Sequence, residues 1–155
     1  MAWPKAGDKA HDLTLPDQDG TTVTLSALWA KGPVVLYFYP KDETAGCTME
    51  ACSFRDSFEV FRDAGASVVG VSRDSVASHK SFAQHHRLPF TLLADVGGEG
   101  HKAWGIQKRL GILTDRVTFV IDRSGTVRHT FDSHLRMGKH IDESLAVVKT
   151  LKAEG

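Results

Sequence analysis

The sequence predicts a single α/β domain with a mixed central β-sheet, flanked by helices and preceded by an N-terminal β-hairpin. Three observations predict this fold class. The length of 155 residues suits one domain, because domains commonly hold roughly 100 to 200 residues. Short apolar runs typical of buried strands alternate with segments of helical periodicity. No repeat, linker or low-complexity stretch divides the chain, so we expect one domain over residues 1–155.

The first predicted elements are a hairpin and a short helix. Residues 13–15 and 23–25 alternate between apolar and polar side chains around the polar turn at 16–20, which is typical of a β-hairpin. Ser26 is placed to cap a helix that ends near Trp29.

A strand–helix–strand alternation follows. Residues 34–39 form a continuous apolar run, as expected for a buried central strand. The later predictions are a helix carrying Ala51, Phe54, Phe58 and Phe61 up to Gly65, a strand at 67–72, a helix at 75–86, a strand at 90–93, a hairpin of strands at 117–121 and 126–131, and a final helix through Ile141, Leu145, Val148 and Leu151. This order is that of a thioredoxin-like fold, which leaves the function open.

The charge balance excludes several classes of partner. Lysine plus arginine number 19 and aspartate plus glutamate number 19, so no net field attracts nucleic acid or an anionic membrane. No apolar run approaches the ~20 residues of a membrane span, and residues 1–11 lack the pattern of a signal peptide. We therefore expect a cytoplasmic protein that binds neither nucleic acid nor membrane.

The two cysteines lie five positions apart, too few and too close to form a stabilising disulfide framework. Two small buried apolar residues would be the ordinary interpretation. Cys47, however, falls at the predicted N-terminal turn of the phenylalanine-bearing helix. Unpaired N–H groups and the positive end of the helix dipole stabilise a thiolate there, which indicates a reactive cysteine.

The residues before Cys47 form the motif PxxxTxxC. Pro40 ends the strand and can shield the sulfur from water, and the Thr44 hydroxyl can donate to an incoming oxygen and also accept. Gly46 allows close approach of the backbone. The motif resembles the active-site signature of the peroxiredoxins, thiol-dependent peroxidases with a thioredoxin-like fold.

Cys52 extends the resemblance to the Q-type subgroup, also called bacterioferritin comigratory protein. Further blocks similar to that subgroup lie at 69–75, 88–90, 92–95 and 116–122, so the resemblance covers nearly the whole chain. Ala45 departs from the proline that members often carry there, which loosens the loop without removing a reacting group.

The resemblance implies an electrostatic role for Arg116, which would favour the thiolate and stabilise the leaving alkoxide; a solvated strand-end arginine is the alternative. Glu50 is a candidate helper, although the helix dipole alone explains an acid in the first turn. Tyr39 and Trp104 are candidates for lining the pocket, or are simply core aromatic residues.

The implied reaction begins when Cys47 attacks hydrogen peroxide or an organic hydroperoxide and becomes a sulfenic acid. Cys52 then closes a disulfide, which thioredoxin or a similar dithiol reduces. The resemblance requires no metal, haem or flavin, and it favours a monomer. The eight histidines are expected to be solvated, and the pair at 85–86 has no acidic partner at metal-binding spacing.

Two other functions remain to be distinguished. A thioredoxin-like disulfide oxidoreductase normally uses a CxxC pair, which this chain lacks. A peroxide sensor or redox-switched holdase would use the same oxidation to change a binding surface.

Overall fold

The structure, a computed structural model, describes residues 3–109 and 113–154. Positions 1–2, 110–112 and 155 of the predicted domain lie outside the described residues. The elements in chain order are β1 (Thr14–Pro16), β2 (Thr22–Thr24), α1 (Leu25–Trp29), β3 (Val34–Phe38), α2 (Ala45–Asp56), α3 (Phe58–Asp63), β4 (Ser67–Ser72), α4 (Val76–His86), β5 (Thr91–Ala94), α5 (Glu99–Ala103), β6 (Lys108–Arg109), β7 (Leu113–Thr114), β8 (Val117–Ile121), β9 (Val127–Asp132) and α6 (Met137–Glu154).

A five-stranded mixed sheet in the order β5-β4-β3-β8-β9 forms the centre of the fold. Strand β3 pairs in parallel with β4 and antiparallel with β8. Every residue of β3 is buried, as its continuous apolar run predicts. The predicted mixed α/β fold, with helices around a central sheet, is confirmed.

The two faces of the sheet carry separate apolar cores, because successive side chains of a strand point in opposite directions. Val35 and Tyr37 belong to a core that includes Cys47 and residues of α2, α4 and α6. Leu36 and Phe38 belong to the other core, beneath the N-terminal hairpin and α1. The cysteine site therefore lies on the face covered by α2 and α6.

The N-terminal hairpin is confirmed, with β1 antiparallel to β2. The cap predicted for α1 is wrong. Thr24 occupies the N-cap position and makes no side-chain capping bond, whereas Ser26 lies inside the helix. Its hydroxyl donates to Asp12 at 2.6 Å, and the same carboxylate accepts from the Ser26 amide at 2.9 Å.

The helix predicted to run from the cysteine motif to Gly65 is in fact two helices. Helix α2 ends at Asp56, and α3 begins at Phe58 after Ser57, whose backbone is not helical (φ −101°, ψ 5°). The apolar spacing continues across this break, because Phe54 and Phe61 both lie in the same core. Periodicity alone could not reveal the interruption.

Helix α5 was not predicted. The Asp95 carboxylate accepts hydrogen bonds from the backbone N–H groups of Gly100 and His101 at the start of this helix.

Within the described ranges, no helix combines the length and the apolar character needed to cross a bilayer.

Candidate active site

The loop that follows β3 delivers Cys47 to the first turn of α2. Strand β3 ends at Phe38, two residues before the predicted end at Pro40, which is partly buried. Thr44 is the N-cap residue of α2 and has an extended backbone. Cys47 is only 1% exposed. The sulfur therefore lies in the apolar core at the positive end of a helix, as the motif predicts.

Arg116 contacts the sulfur directly. Its Nη2 lies 3.2 Å from Cys47 Sγ, although 69 positions separate the two residues in the chain. The sheet explains the contact, since Phe38 at the end of β3 pairs with Val117 at the start of β8. The residue before Val117 therefore lies beside the loop after β3, and Arg116 is 5% exposed there.

Glu50 completes a buried ion pair with the same guanidinium. Arg116 Nη1 donates to Glu50 Oε1 at 2.7 Å, and the carboxyl group is fully buried. Burial raises the pKa of Glu50 to about 7, although Arg116 acts to lower it. Burial also opposes the charge of Arg116, but Glu50 and Cys47 outweigh it and hold the pKa of Arg116 above its ordinary value. The guanidinium stays positive next to the sulfur.

His140 of α6 is a buried neighbour that sequence reasoning missed. Its Nδ1 lies 3.5 Å from Glu50 Oε2 and 2.7 Å from the Thr118 hydroxyl, and its Nε2 lies 2.8 Å from the Ser133 carbonyl. Burial lowers the pKa of His140 to about 4, so the ring is neutral at pH 7. Since the carbonyl requires an N–H donor at Nε2, Nδ1 accepts the proton of Thr118.

The hydroxyl of Thr44 has a defined orientation. It donates to the Lys41 carbonyl at 2.8 Å, and the Thr44 side chain is exposed at the mouth of the site. A hydroxyl has one proton, so this bond leaves the Thr44 oxygen as an acceptor for further partners. The geometry favours the accepting half of the predicted role over the donating half.

A second hydrogen-bond network, centred on Asp42, fixes the loop between β3 and α2. Asp42 accepts hydrogen bonds from Tyr39 (2.6 Å) and Ser78 (2.8 Å) and contacts His79 Nδ1 at 2.7 Å. The Asp42 backbone N–H donates to Asp74 at 2.8 Å. Tyr39 thus has its hydroxyl committed to anchoring the loop.

The structure does not bring Trp104 to the sulfur. Its indole packs against Phe38 and Phe119 in the core on the opposite face of the sheet from Cys47. The pocket-lining role predicted for Trp104 has no support in this geometry, and the alternative of a core aromatic residue describes it.

Gly46 is tightly packed against two side chains of the site. A β-carbon added there would lie 3.1 Å from Met137 Cε and 3.2 Å from Arg116 Nη2. The backbone at Gly46 therefore approaches Arg116 closely, and a larger residue there would press on the guanidinium beside the sulfur.

Cys52 lies on the same helix as Cys47, and both thiols are free. Cys52 is partly exposed, whereas Cys47 is buried. The predicted place of Cys47 in the N-terminal turn of the helix is confirmed, and Cys52 lies five residues further along the same helix.

The prediction of solvated histidines is wrong for several of them. His79, His101 and His140 are fully buried, because each ring has a tertiary partner that the sequence does not reveal. The pair at 85–86 also has an acidic partner, Glu43, which contacts His85 at 2.9 Å and His86 at 2.8 Å. That acid lies more than 40 positions away in the chain.

Comparison with known proteins decides the family. Residues 6–130 match the AhpC/TSA family. The chain is 50% identical over 146 residues to chloroplastic peroxiredoxin Q of Triticum aestivum, which covers 94% of this chain and 67% of that protein. The chain belongs to the peroxiredoxin Q branch of the AhpC/TSA family. As a peroxiredoxin it is a thiol peroxidase, with peroxides as substrates and a thiol as reductant.

Solved peroxiredoxins share the fold. Peroxidoxin BcpB of Mycobacterium tuberculosis superposes with a TM-score of 0.89 at 41% identity, covering 95% of this chain and 97% of that one. Peroxiredoxin Q of Xanthomonas campestris superposes with a TM-score of 0.83 at 35% identity, covering 90% and 91%. The predicted thioredoxin-like fold and the predicted Q-type subgroup are both confirmed.

The predicted cytoplasmic location is contradicted. The curated relatives compared with this peroxiredoxin, including those of Triticum aestivum and Arabidopsis thaliana, are named chloroplastic. The prediction rested on the absence of a membrane span and of a signal-peptide pattern, and neither observation identifies a compartment.

Proposed function

We propose that Cys47 is the peroxidatic cysteine, that Cys52 resolves its oxidised form as an intramolecular disulfide, and that thioredoxin reduces this disulfide. The observation that carries the proposal is the 3.2 Å contact between Arg116 Nη2 and Cys47 Sγ at the start of α2. A permanent cation and a helix N-terminus together favour the thiolate, which is the nucleophile in this chemistry.

In the first step the Cys47 thiolate attacks the terminal oxygen of the peroxide. The S–O bond forms as the O–O bond breaks, so sulfur is oxidised to sulfenic acid and the alkoxide or hydroxide leaves and takes up a proton. Arg116 stabilises the charge on the leaving oxygen. Thr44, whose own proton is committed to Lys41, accepts from the terminal O–H of the peroxide.

In the second step the Cys52 thiol condenses with the sulfenic acid, which forms the S–S bond and releases water. An external dithiol then returns both cysteines to thiols by exchange. Because both reacting cysteines belong to one helix, no second subunit is required, which favours a monomer acting as one domain over residues 1–155.

Both hydrogen peroxide and organic hydroperoxides are proposed substrates. The reacting terminal O–O–H group is the same in both, and a sulfur with 1% exposure accepts that end of the molecule rather than its bulk. Pro40, two residues beyond the end of β3, limits access of water to the Cys47 sulfur. Glu50 orients Arg116 through the 2.7 Å ion pair.

The test compares the wild type with Cys47→Ser and Cys52→Ser in a thioredoxin-coupled peroxidase assay. We expect Cys47→Ser to be inactive, since a serine hydroxyl provides essentially no anion at neutral pH. In the absence of thioredoxin or any other thiol, Cys52→Ser should consume about one equivalent of peroxide and stop as a sulfenic acid, detected as a 16 Da mass increase.

Turnover of Cys47→Ser with thioredoxin would refute the assignment of the nucleophile. An unreacted Cys47 in the Cys52→Ser variant would refute the division of roles. A wild type that oxidises once and is not recycled by thioredoxin would favour the sensor alternative over the peroxidase cycle.

A further inference from the structure

Glu43, His85 and His86 form a cluster beside the active-site loop that the peroxidase reaction does not use. Glu43 belongs to the loop between β3 and α2, and the two histidines end α4. His85 Nδ1 and His86 Nε2 each face one oxygen of the Glu43 carboxylate, at 2.9 and 2.8 Å. One ligand atom from each of the three residues lies within 4.8 Å of the others.

The donor set is that of a transition-metal site. Two imidazole nitrogens and one carboxylate oxygen suit Zn²⁺ and related divalent ions, with a fourth position left for water. Ligands about 2.0 to 2.2 Å from a tetrahedral ion lie roughly 3.3 to 3.6 Å apart, so each imidazole nitrogen, now 2.9 or 2.8 Å from a carboxylate oxygen, would move away from that oxygen by less than about 1 Å to admit the ion.

The backbone of Glu43 supports the same interpretation. It adopts the left-handed conformation, with φ of 62°, which residues other than glycine rarely adopt. Such a conformation persists where its surroundings hold it. Here the preceding residue is fixed by the Asp42–Asp74 bond of 2.8 Å, and the side chain is directed onto the two imidazoles.

The cluster joins the catalytic loop to the rest of the protein. Glu43 lies four positions before Cys47, and the end of α4 is fixed to the second half of α2 by the 2.8 Å bond from Arg55 Nη1 to the His86 carbonyl. A bond between Glu43 and the histidines therefore resists movement of the loop away from α4.

We propose that Glu43, His85 and His86 bind a divalent transition-metal ion such as Zn²⁺, and that the bound ion holds the active-site loop in its folded position. The binding site is independent of the peroxidase reaction. The effect of the ion on the loop rests on the disulfide step proposed above. That step requires the start of α2 to unwind, because five helical residues separate the two α-carbons by roughly 8 to 9 Å and a disulfide normally requires about 7 Å or less. By linkage, an ion that favours the folded loop binds the unwound disulfide form more weakly.

The first experiment measures Zn²⁺ binding by calorimetry in a Cys47→Ser/Cys52→Ser protein, which removes both thiols as competing ligands. We expect one equivalent to bind, and more than a ten-fold loss of affinity in the added double variant His85→Ala/His86→Ala. His129→Ala is the matched control, because His129 pairs with the single carboxylate of Glu143 at 2.9 Å outside the cluster. Its affinity should equal that of the parent. Unchanged binding without His85 and His86, or no binding by the parent, would overturn the site.

The second experiment compares the disulfide form of the wild type, which has no free thiol, with the Cys47→Ser/Cys52→Ser protein. We expect at least about ten-fold weaker Zn²⁺ binding by the disulfide form. Equal affinity, with hydrogen exchange showing that the loop has unwound, would overturn the effect on the loop. If the loop does not unwind on oxidation, the proposed disulfide step fails while the binding result in the thiol-free protein stands.

Discussion

Arg116 makes two contacts through one planar group, with a sulfur on one nitrogen and a carboxylate on the other. The distances are 3.2 Å to Cys47 and 2.7 Å to Glu50, both in a buried setting where salt screens little. A guanidinium can hold both partners in a fixed geometry, whereas a lysine ammonium is a point charge on a flexible chain. The position therefore requires arginine rather than any cation.

We predict that Arg116→Ala slows the attack on peroxide by about 100-fold or more, because the charge that favours the thiolate and stabilises the leaving oxygen is lost. The rate of peroxide attack by Arg116→Lys should lie between the rates of the wild type and of Arg116→Ala, because lysine restores the positive charge but not the two paired contacts. Stopped-flow oxidation of Cys47 measures the rate, and alkylation against pH measures the thiolate fraction.

Loss of Arg116 also leaves Glu50 buried without its partner, which destabilises proteins by roughly 3 to 5 kcal/mol when the charge persists. Circular dichroism must therefore show folded protein before the rates are compared. Wild-type rates in folded Arg116→Ala would reduce Arg116 to a structural residue.

The residues of the site differ in how far the sequence predicts them. Thr44 and Cys47 follow from a motif of eight positions, and Gly46 from the need for close approach. Arg116 came only from family resemblance, because its contact with Cys47 depends on the β3–β8 register. His140 could not be predicted, since a single histidine on a helix gives no sign of the buried Glu50 and Thr118 beside it.

The disulfide proposed between Cys47 and Cys52 cannot form while α2 keeps its present shape. Five residues at about 1.5 Å and 100° each place the α-carbons of Cys47 and Cys52 roughly 8 to 9 Å apart, with the side chains rotated by about 140°. A disulfide normally requires α-carbons within about 7 Å. If the proposed disulfide forms, at least one cysteine must therefore leave the helix.

We predict that amides from about 44 to 53 lose hydrogen-exchange protection in the disulfide form. The remainder of α2 is held by buried Phe54 and by the Arg55 bond to His86, and α3 is held separately by Phe61, so their amides should stay protected. Peroxide-treated Cys52→Ser is the control, because it is oxidised without forming the disulfide. Unchanged protection across residues 44–53 in the wild type would contradict this unwinding.

The elements differ in how well the sequence predicts them. Strand β4 was predicted with its observed bounds of Ser67–Ser72, because a short, mainly apolar run of this length is typical of a buried strand. The break at Ser57 was missed, since the phenylalanine spacing fits one helix or two. If α2 unwinds as predicted, the break at Ser57 separates the unwinding segment from α3.

At the scale of the whole molecule, the sheet and α6 enclose two titratable groups, Glu50 and His140, whose pKa shifts have opposite effects on the pH dependence of stability. The pKa of Glu50, about 7, lies above its ordinary 4.5, so its contribution to stability is present below about pH 4.5 and is lost as the pH rises to about 7. The pKa of His140, about 4, lies below its ordinary 6.5, so its contribution is present above about pH 6.5 and is lost as the pH falls to about 4. Between about pH 4.5 and 6.5 the loss of stability from Glu50 and the gain from His140 therefore offset each other as the pH rises.

We predict that in Glu50→Gln the pH dependence of the free energy of unfolding shows the contribution of His140 without the opposing contribution of Glu50. The amide does not titrate, so the free energy of unfolding of the variant, relative to wild type, should rise from pH 4.5 to 7 by on the order of 3 kcal/mol. His140→Asn should show the opposite trend, with stability relative to wild type falling as the pH rises from 4 to 6.5. Urea unfolding at half-unit pH intervals measures both curves, and each variant serves as the sign control for the other. Parallel curves for Glu50→Gln and wild type would mean that the Glu50 carboxyl is already ionised at pH 5, paired with Arg116 despite its burial.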